Sequence, residues 1–128
     1  MGMKESEKIA AFTAGFVGYP LLEIGWRGRT HWSMALAGGL AGLCLYPVCT
    51  RKKARMVCCK TAGIITGIEL VFGCVFNLLL HQNVWDYSKK PLNLWGQICL
   101  PYTCLWFLLG VPARLLCNGI RGLCKNLL

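Results

Sequence analysis

From Ser33 to Cys49, and again from Leu92 to Val111, the chain carries no charged side chain. A third run, Val57 to Leu80, is interrupted only by Lys60 and Glu69, and a shorter one, Ile9 to Ile24, only by Glu23. At about 1.5 Å per residue, some twenty helical residues cross the ~30 Å hydrocarbon core of a bilayer. In that medium each backbone polar group must be bonded within its own segment, which a helix achieves. The expected fold is an all-α polytopic membrane helix bundle of four transmembrane helices, over about residues 9–26, 33–49, 57–80 and 92–111. All of it forms a single integral membrane domain over residues 1–128. Charged residues make up only 15% of the chain, against about a quarter in a soluble domain. The first two runs are short and need Trp26 and Trp32 as interfacial anchors. An uncleaved signal-like segment is the alternative for the first run, although no small-residue cleavage site separates it from the rest.

After Pro112 the pattern changes. Leu116, Ile120, Leu123 and Leu127 follow helical spacing, and Arg114, Asn118, Arg121 and Lys125 follow it on nearly the opposite face. Residues 112–128 therefore read as a C-terminal amphipathic interfacial helix, with Arg114, Arg121 and Lys125 on lipid headgroups. Gly119 and Gly122 weaken that helix.

The net charge of +9 sits between the spans and sets their orientation. Arg51, Lys52, Lys53, Arg55 and Lys60 share one side with Lys4, Lys8, Arg114, Arg121 and Lys125. Arg27, Arg29, Lys89 and Lys90 fall on the other, so ten of the fourteen basic residues lie with both termini. The expectation is a cell-membrane protein with its N- and C-termini cytoplasmic. Its expected partners are the lipid bilayer and a homo-oligomer or membrane-protein complex, with no nucleic acid. The nine cysteines show no CxxC pair and no Cys/His zinc spacing, and His31 and His81 lack a partner at ligand spacing. No metal and no other cofactor is expected. Cys58 and Cys59 suit palmitoylation, with unmodified thiols as the alternative, and Gly2 and Ser6 match a myristoylation pattern.

Small residues mark packing faces. Gly38 and Gly42 form a GxxxG step, Ala11 and Gly15, then Ala14 and Gly18, repeat the spacing in the first run, and Gly73 adds a site in the third. Pro20 and Pro101 fall inside expected spans and should kink them.

Glu69 is the most demanding residue. A charge at the bilayer centre costs about 3 kcal/mol on insertion scales, so it needs a partner, water or a proton. Ala62, Thr66, Gly73 and Asn77 share its helical face and form a small, polar stripe that should turn inward. Glu23 has Tyr19 one turn before it and Arg27 one turn after, as an i,i+4 partner. With Asp86 from the loop at residues 81–93, these residues outline a polar intramembrane site of Tyr19, Glu23, Glu69, Asn77 and Asp86. Two roles compete: a cavity for a cation, proton or headgroup, and buried bonding that fixes packing, for example Glu69 against Tyr19 or Arg27.

Gly18-Tyr19-x-x-x-Glu23, Glu69-x-x-x-Gly73, Trp85-Asp86-Tyr87-Ser88, then Asn93 and Gly96, occur in an order that resembles the CmpB family. That family is described as ABC-transporter type IV and includes the transmembrane protein 229 group. The resemblance spans residues 18–96 and implies a multi-pass membrane protein without supplying a mechanism. The leading expectation is a small oligomeric or complex-forming subunit of a transport or envelope assembly, since four short helices enclose little pore alone. An intramembrane lipid-modifying enzyme, with the carboxylates as acid and base, and a holin-like lysis protein are the alternatives. No nucleophile motif, phosphate loop or HExxH is present.

Overall fold

The computed structural model describes residues 5–51 and 53–127, the side chains of Arg51 and Leu127 excepted. Gly2, Lys4 and Lys52, on which the myristoylation pattern and part of the charge count rest, lie outside the described residues. Four helices carry the fold: α1 (Glu5–Arg27), α2 (Trp32–Arg51), α3 (Ala54–Phe72) and α4 (Leu100–Leu127). A π-helical segment, Gly73–Leu79, extends α3, and two short antiparallel strands, β1 (Asn93–Leu94) and β2 (Ile98–Cys99), precede α4. All four helices are long and apolar enough to cross a membrane. Large apolar side chains such as Ile9, Leu21, Val71 and Leu115 are exposed on the outside of the bundle, where a bilayer rather than water removes the cost of exposing them. The chain is a membrane protein with an all-α bundle fold.

α1 packs chiefly on α2, and α3 chiefly on α4. The bundle is thus two helix hairpins laid side by side. Small residues make the first hairpin tight. Gly15 faces Gly38, Gly42 faces the Ala11 carbonyl, and Gly39 receives the Phe12 ring. In the second hairpin Gly110 lies against Cys58, where an added Cβ would come 2.6 Å from the Cys58 Cα. Gly18 does not join this packing, since nothing beyond its own helical turn lies within 4 Å of the place its Cβ would take. Gly73 meets the Gln97 side chain rather than another helix.

This contrast makes a prediction. Gly38→Leu should push α1 off α2, because its Cβ alone would meet the Gly15 carbonyl and the Tyr19 Cβ. The expected loss is about 3 kcal/mol, the upper end for overpacking. Gly18→Ala should be neutral or slightly stabilising, as an alanine in open helical space is. Thermal unfolding of the detergent-solubilised protein, followed by circular dichroism, checks the pair; equal melting temperatures would contradict the packing.

Two expected boundaries move. The fourth span begins at Leu100 rather than Leu92, because residues 92–99 turn instead of coiling: Leu92, Trp95 and Gly96 have φ of 51°, 56° and 72°, outside helical backbone. Pro101 consequently lies in the first turn of α4, where its missing N–H costs no helix bond, and it kinks nothing. The tail is not a separate helix after residue 111. α4 runs unbroken through Pro112 to Leu127, held by Ala113, Cys117 and Ile120, which pack against the buried cluster of Leu45, Cys49 and Ile65. Arg121 donates to the Thr50 carbonyl at 3.3 Å, and the buried Nε of Arg114 has no partner among the described residues.

Candidate functional site

The site lies between the two hairpins, at the end where α1 turns into α2 and the loop of residues 80–99 closes the bundle. Glu69 projects from α3 and is 7% exposed. Trp106 of α4 donates its indole N–H to Oε1 at 2.6 Å, and Tyr87 of the loop donates its hydroxyl to Oε2 at 2.9 Å. Each carboxylate oxygen therefore has a donor, and both donors are uncharged. Neither Tyr19 nor Arg27 makes a hydrogen bond to Glu69 among the described residues. One turn before Glu69, the hydroxyls of Thr66 and Thr103 lie 3.2 Å apart.

Toward the loop, Gly73 clears space for Gln97, and the π-helical segment that starts there turns Asn77 inward. π-helical turns occur where a helix must re-aim a side chain. Asn77 donates to Gln97 Oε1 at 2.8 Å and accepts from the Val84 amide at 2.6 Å. The Trp85 indole donates to the Gln97 carbonyl at 2.8 Å. Val84 and Trp85 are buried against Met34 and Ala37 of α2. The loop is thus inserted into the bundle and bolted there by buried polar groups.

The residues of the ordered motif build this loop. Asn93 donates to the carbonyls of Ser88 and Lys90 and accepts from the Gly96 amide. Tyr87 N–H donates to the Gly96 carbonyl at 2.7 Å. A Cβ on Gly96, at φ 72°, would also crowd an Asp86 carboxylate oxygen. Asp86 does not belong to the polar site. It is exposed and accepts from the Ser88 amide at 2.9 Å. That bond and the Ser88 hydroxyl hold its carboxyl below the usual range.

Glu23, on α1, is buried and paired with Arg27 at 2.6 Å, and Thr30 donates to its other oxygen at 3.3 Å. Arg27 reaches across to the Val84 carbonyl at 3.0 Å, which ties α1 to the loop. Its Nε is buried and unpartnered among the described residues.

Glu23 and Glu69 come from different hairpins yet line one cavity of about 340 Å³, with Arg27. The rings of Tyr19, Trp26, Trp85, Tyr87, Tyr102 and Trp106 line it as well. Tyr87 and Tyr102 are stacked with centroids 4.7 Å apart, and Tyr19 and Trp106 meet edge to face at 6.1 Å. On the rim, Leu22 of α1 is 58% exposed and Leu108 of α4 is 64% exposed. The cavity therefore opens sideways between α1 and α4, on apolar flanks that face the membrane. A second cavity of about 330 Å³ adjoins it and shares Tyr19, Met34, Glu69 and Trp85 with it. It runs on among apolar and small residues of all four helices, including Gly18, Leu45, Ile65 and Cys117. Among the described residues no cluster of His, Cys, Asp and Glu is placed to hold a metal ion.

Sequence reasoning missed Trp106, Tyr87 and Gln97. One signal pointed to the first: Trp106 stands within a charge-free run, away from the interfaces where tryptophans gather, and a buried indole N–H usually finds an acceptor.

A family model described as "Putative ABC-transporter type IV" (CmpB) matches residues 30–125. The matched stretch takes in α2, α3, the loop and most of α4; α1, with Tyr19 and Glu23, precedes it. Neither a curated protein nor a solved structure matches the chain.

Proposed function

Since the chain belongs to the CmpB family, described as ABC-transporter type IV, we propose that it is the membrane-embedded subunit of a transport assembly, with an acidic intramembrane site that receives a polar group arriving from the bilayer. The observation that carries this reading is the shared cavity of Glu23 and Glu69, open between α1 and α4. Carboxylates held inside a span are costly unless they serve a function or a bond. Here Glu69 has its bonds and also borders open space. Four short helices enclose little pore alone, which favours work as an oligomer or with a partner protein. The acid–base alternative drew on three carboxylates, and Asp86 stands apart from the other two.

Basic residues favour a cell-membrane orientation with both termini in the cytoplasm. A reporter fused after Leu128 should be active on the cytoplasmic side, and one inserted at Lys89 on the opposite side. The reverse pattern would overturn the orientation. The functional reading is tested by purification in mild detergent with crosslinking and identification of bound protein. The expected result is a stable complex, with a second copy or a nucleotide-binding protein. A monodisperse monomer without partner at all detergent concentrations would overturn the subunit role.

A further inference from the structure

The two adjoining cavities differ in chemistry. In the first, the charge of Glu23 is neutralised by Arg27 at 2.6 Å. Among the described residues Glu69 receives hydrogen bonds only from the neutral Trp106 and Tyr87, which satisfy its oxygens without supplying a countercharge. Glu23, Arg27 and Glu69 together leave one carboxylate in excess, facing a space walled by aromatic rings. Ring faces attract cations by their quadrupoles, most strongly where water is excluded, and this is the recurrent chemistry of quaternary ammonium recognition.

The second cavity is apolar except at its junction with the first. On α1 its lining runs from Ala11 to Leu22, about 16 Å at ~1.5 Å per residue. That is about half of the ~30 Å hydrocarbon core, the depth of one leaflet. Its volume of about 330 Å³ lies at the low end for ligand pockets, about 300–1,000 Å³, which suits one hydrocarbon chain rather than two. Gly18 helps keep this space open, for nothing beyond its own helical turn lies within 4 Å of its missing Cβ. The lateral opening beside Leu22 and Leu108 lets such a molecule enter from the membrane without leaving it.

We infer that the paired cavities bind a single-chain amphiphile with an ammonium head, the head beside Glu69 within the aromatic walls and the chain along α1 in the apolar cavity. This rests on the reading of the first cavity as a binding site and adds the chemical class of its occupant.

The test uses the full chain in neutral maltoside detergent. Tryptophan emission is followed during titration with dodecyltrimethylammonium, dodecyl sulfate and tetramethylammonium. The expected result is saturable binding of dodecyltrimethylammonium, with dodecyl sulfate and tetramethylammonium each weaker by about tenfold or more, the scale of one desolvated cation–π or charge contact. Glu69→Gln, which can still bond both Trp106 and Tyr87, should weaken the long-chain cation by about tenfold. Gly18→Leu should fill the apolar cavity and weaken dodecyltrimethylammonium while leaving tetramethylammonium unchanged. Dodecyl sulfate binding as tightly as the cation would overturn the ammonium head, and tetramethylammonium binding as tightly would overturn the chain. In either case Glu69-dependent binding would leave the binding-site reading standing. Absence of saturable binding by all three probes would remove both. Should Glu69→Gln fail to fold by gel filtration, the comparison of the three probes on the unaltered protein still decides.

Discussion

Replacing Asn77 with leucine should free residues 81–99 from the bundle while leaving the four helices in place. Asn77 bonds Gln97 and the Val84 amide, both buried. Leucine of similar size would strand these two groups without partners. A buried polar group left unpaired costs about 1–3 kcal/mol, so the two together should cost on the order of 4 kcal/mol. Because the loss falls on the loop, it should appear as local opening before global unfolding. Hydrogen exchange at Val84 should accelerate by about two to three orders of magnitude if opening becomes easier by ~3–4 kcal/mol. Ser88→Ala, on the exposed part of the loop, serves as the control. Unchanged exchange at Val84 in Asn77→Leu would mean that apolar packing of Trp85 alone holds the loop.

Glu69→Leu should be the more damaging of two substitutions at that position. Leucine leaves the Trp106 N–H and the Tyr87 hydroxyl unpaired, and the cost is about 2–4 kcal/mol, offset in part by removal of a buried charge. Glutamine can accept from Trp106 and donate to the Tyr87 hydroxyl, so its cost should stay near 1 kcal/mol. Thermal unfolding of the purified protein checks the order. An activity or partner-binding assay then separates the roles. If glutamine preserves folding and assembly yet abolishes activity as fully as leucine, the negative charge itself is used. If both variants keep full activity, the carboxylate serves neither transport nor assembly.

The four helices could be read from sequence because charge-free runs of membrane length have one common solution. Their ends were harder. Leu92–Cys99 is as free of charge as the start of the span it precedes, and backbone conformation at Leu92, Trp95 and Gly96 turns it into a hairpin. Pro112 reads as a terminator, yet α4 continues past it because Ala113 and Cys117 find partners on α2 and α3. The i,i+4 spacing of Glu23 and Arg27 points directly at their ion pair. The partners of Glu69 carry no such trace, for nothing in linear spacing joins residue 69 to 87 or 106. Aromatic residues near a membrane have many uses, and the one that applies emerges only when the loop folds back. Asp86 misleads for the related reason that its neighbour Tyr87 enters the bundle while Asp86 itself points away.

The π-helical segment has a meaning in chain length as well as shape. A π turn is an α-helix that has taken in one more residue than its turn requires. Deleting a single residue there, Cys74 for instance, would return Gly73–Leu79 to ordinary α geometry. The chain beyond would keep nearly its present facing, because the π turn absorbs the extra residue, whereas the same deletion in the α-helical part of α3, at Gly67 for instance, would rotate everything beyond it by about 100° around the helix axis. Asn77 would then swing away from Gln97, and the loop would lose its bolt although every polar group remained in the sequence. Cys74 is only partly buried, so exchanging its side chain for another small one should matter little. The π-helical segment should therefore tolerate the loss of Cys74 as well as its exchange, while the α-helical part of α3 should reject a change of length.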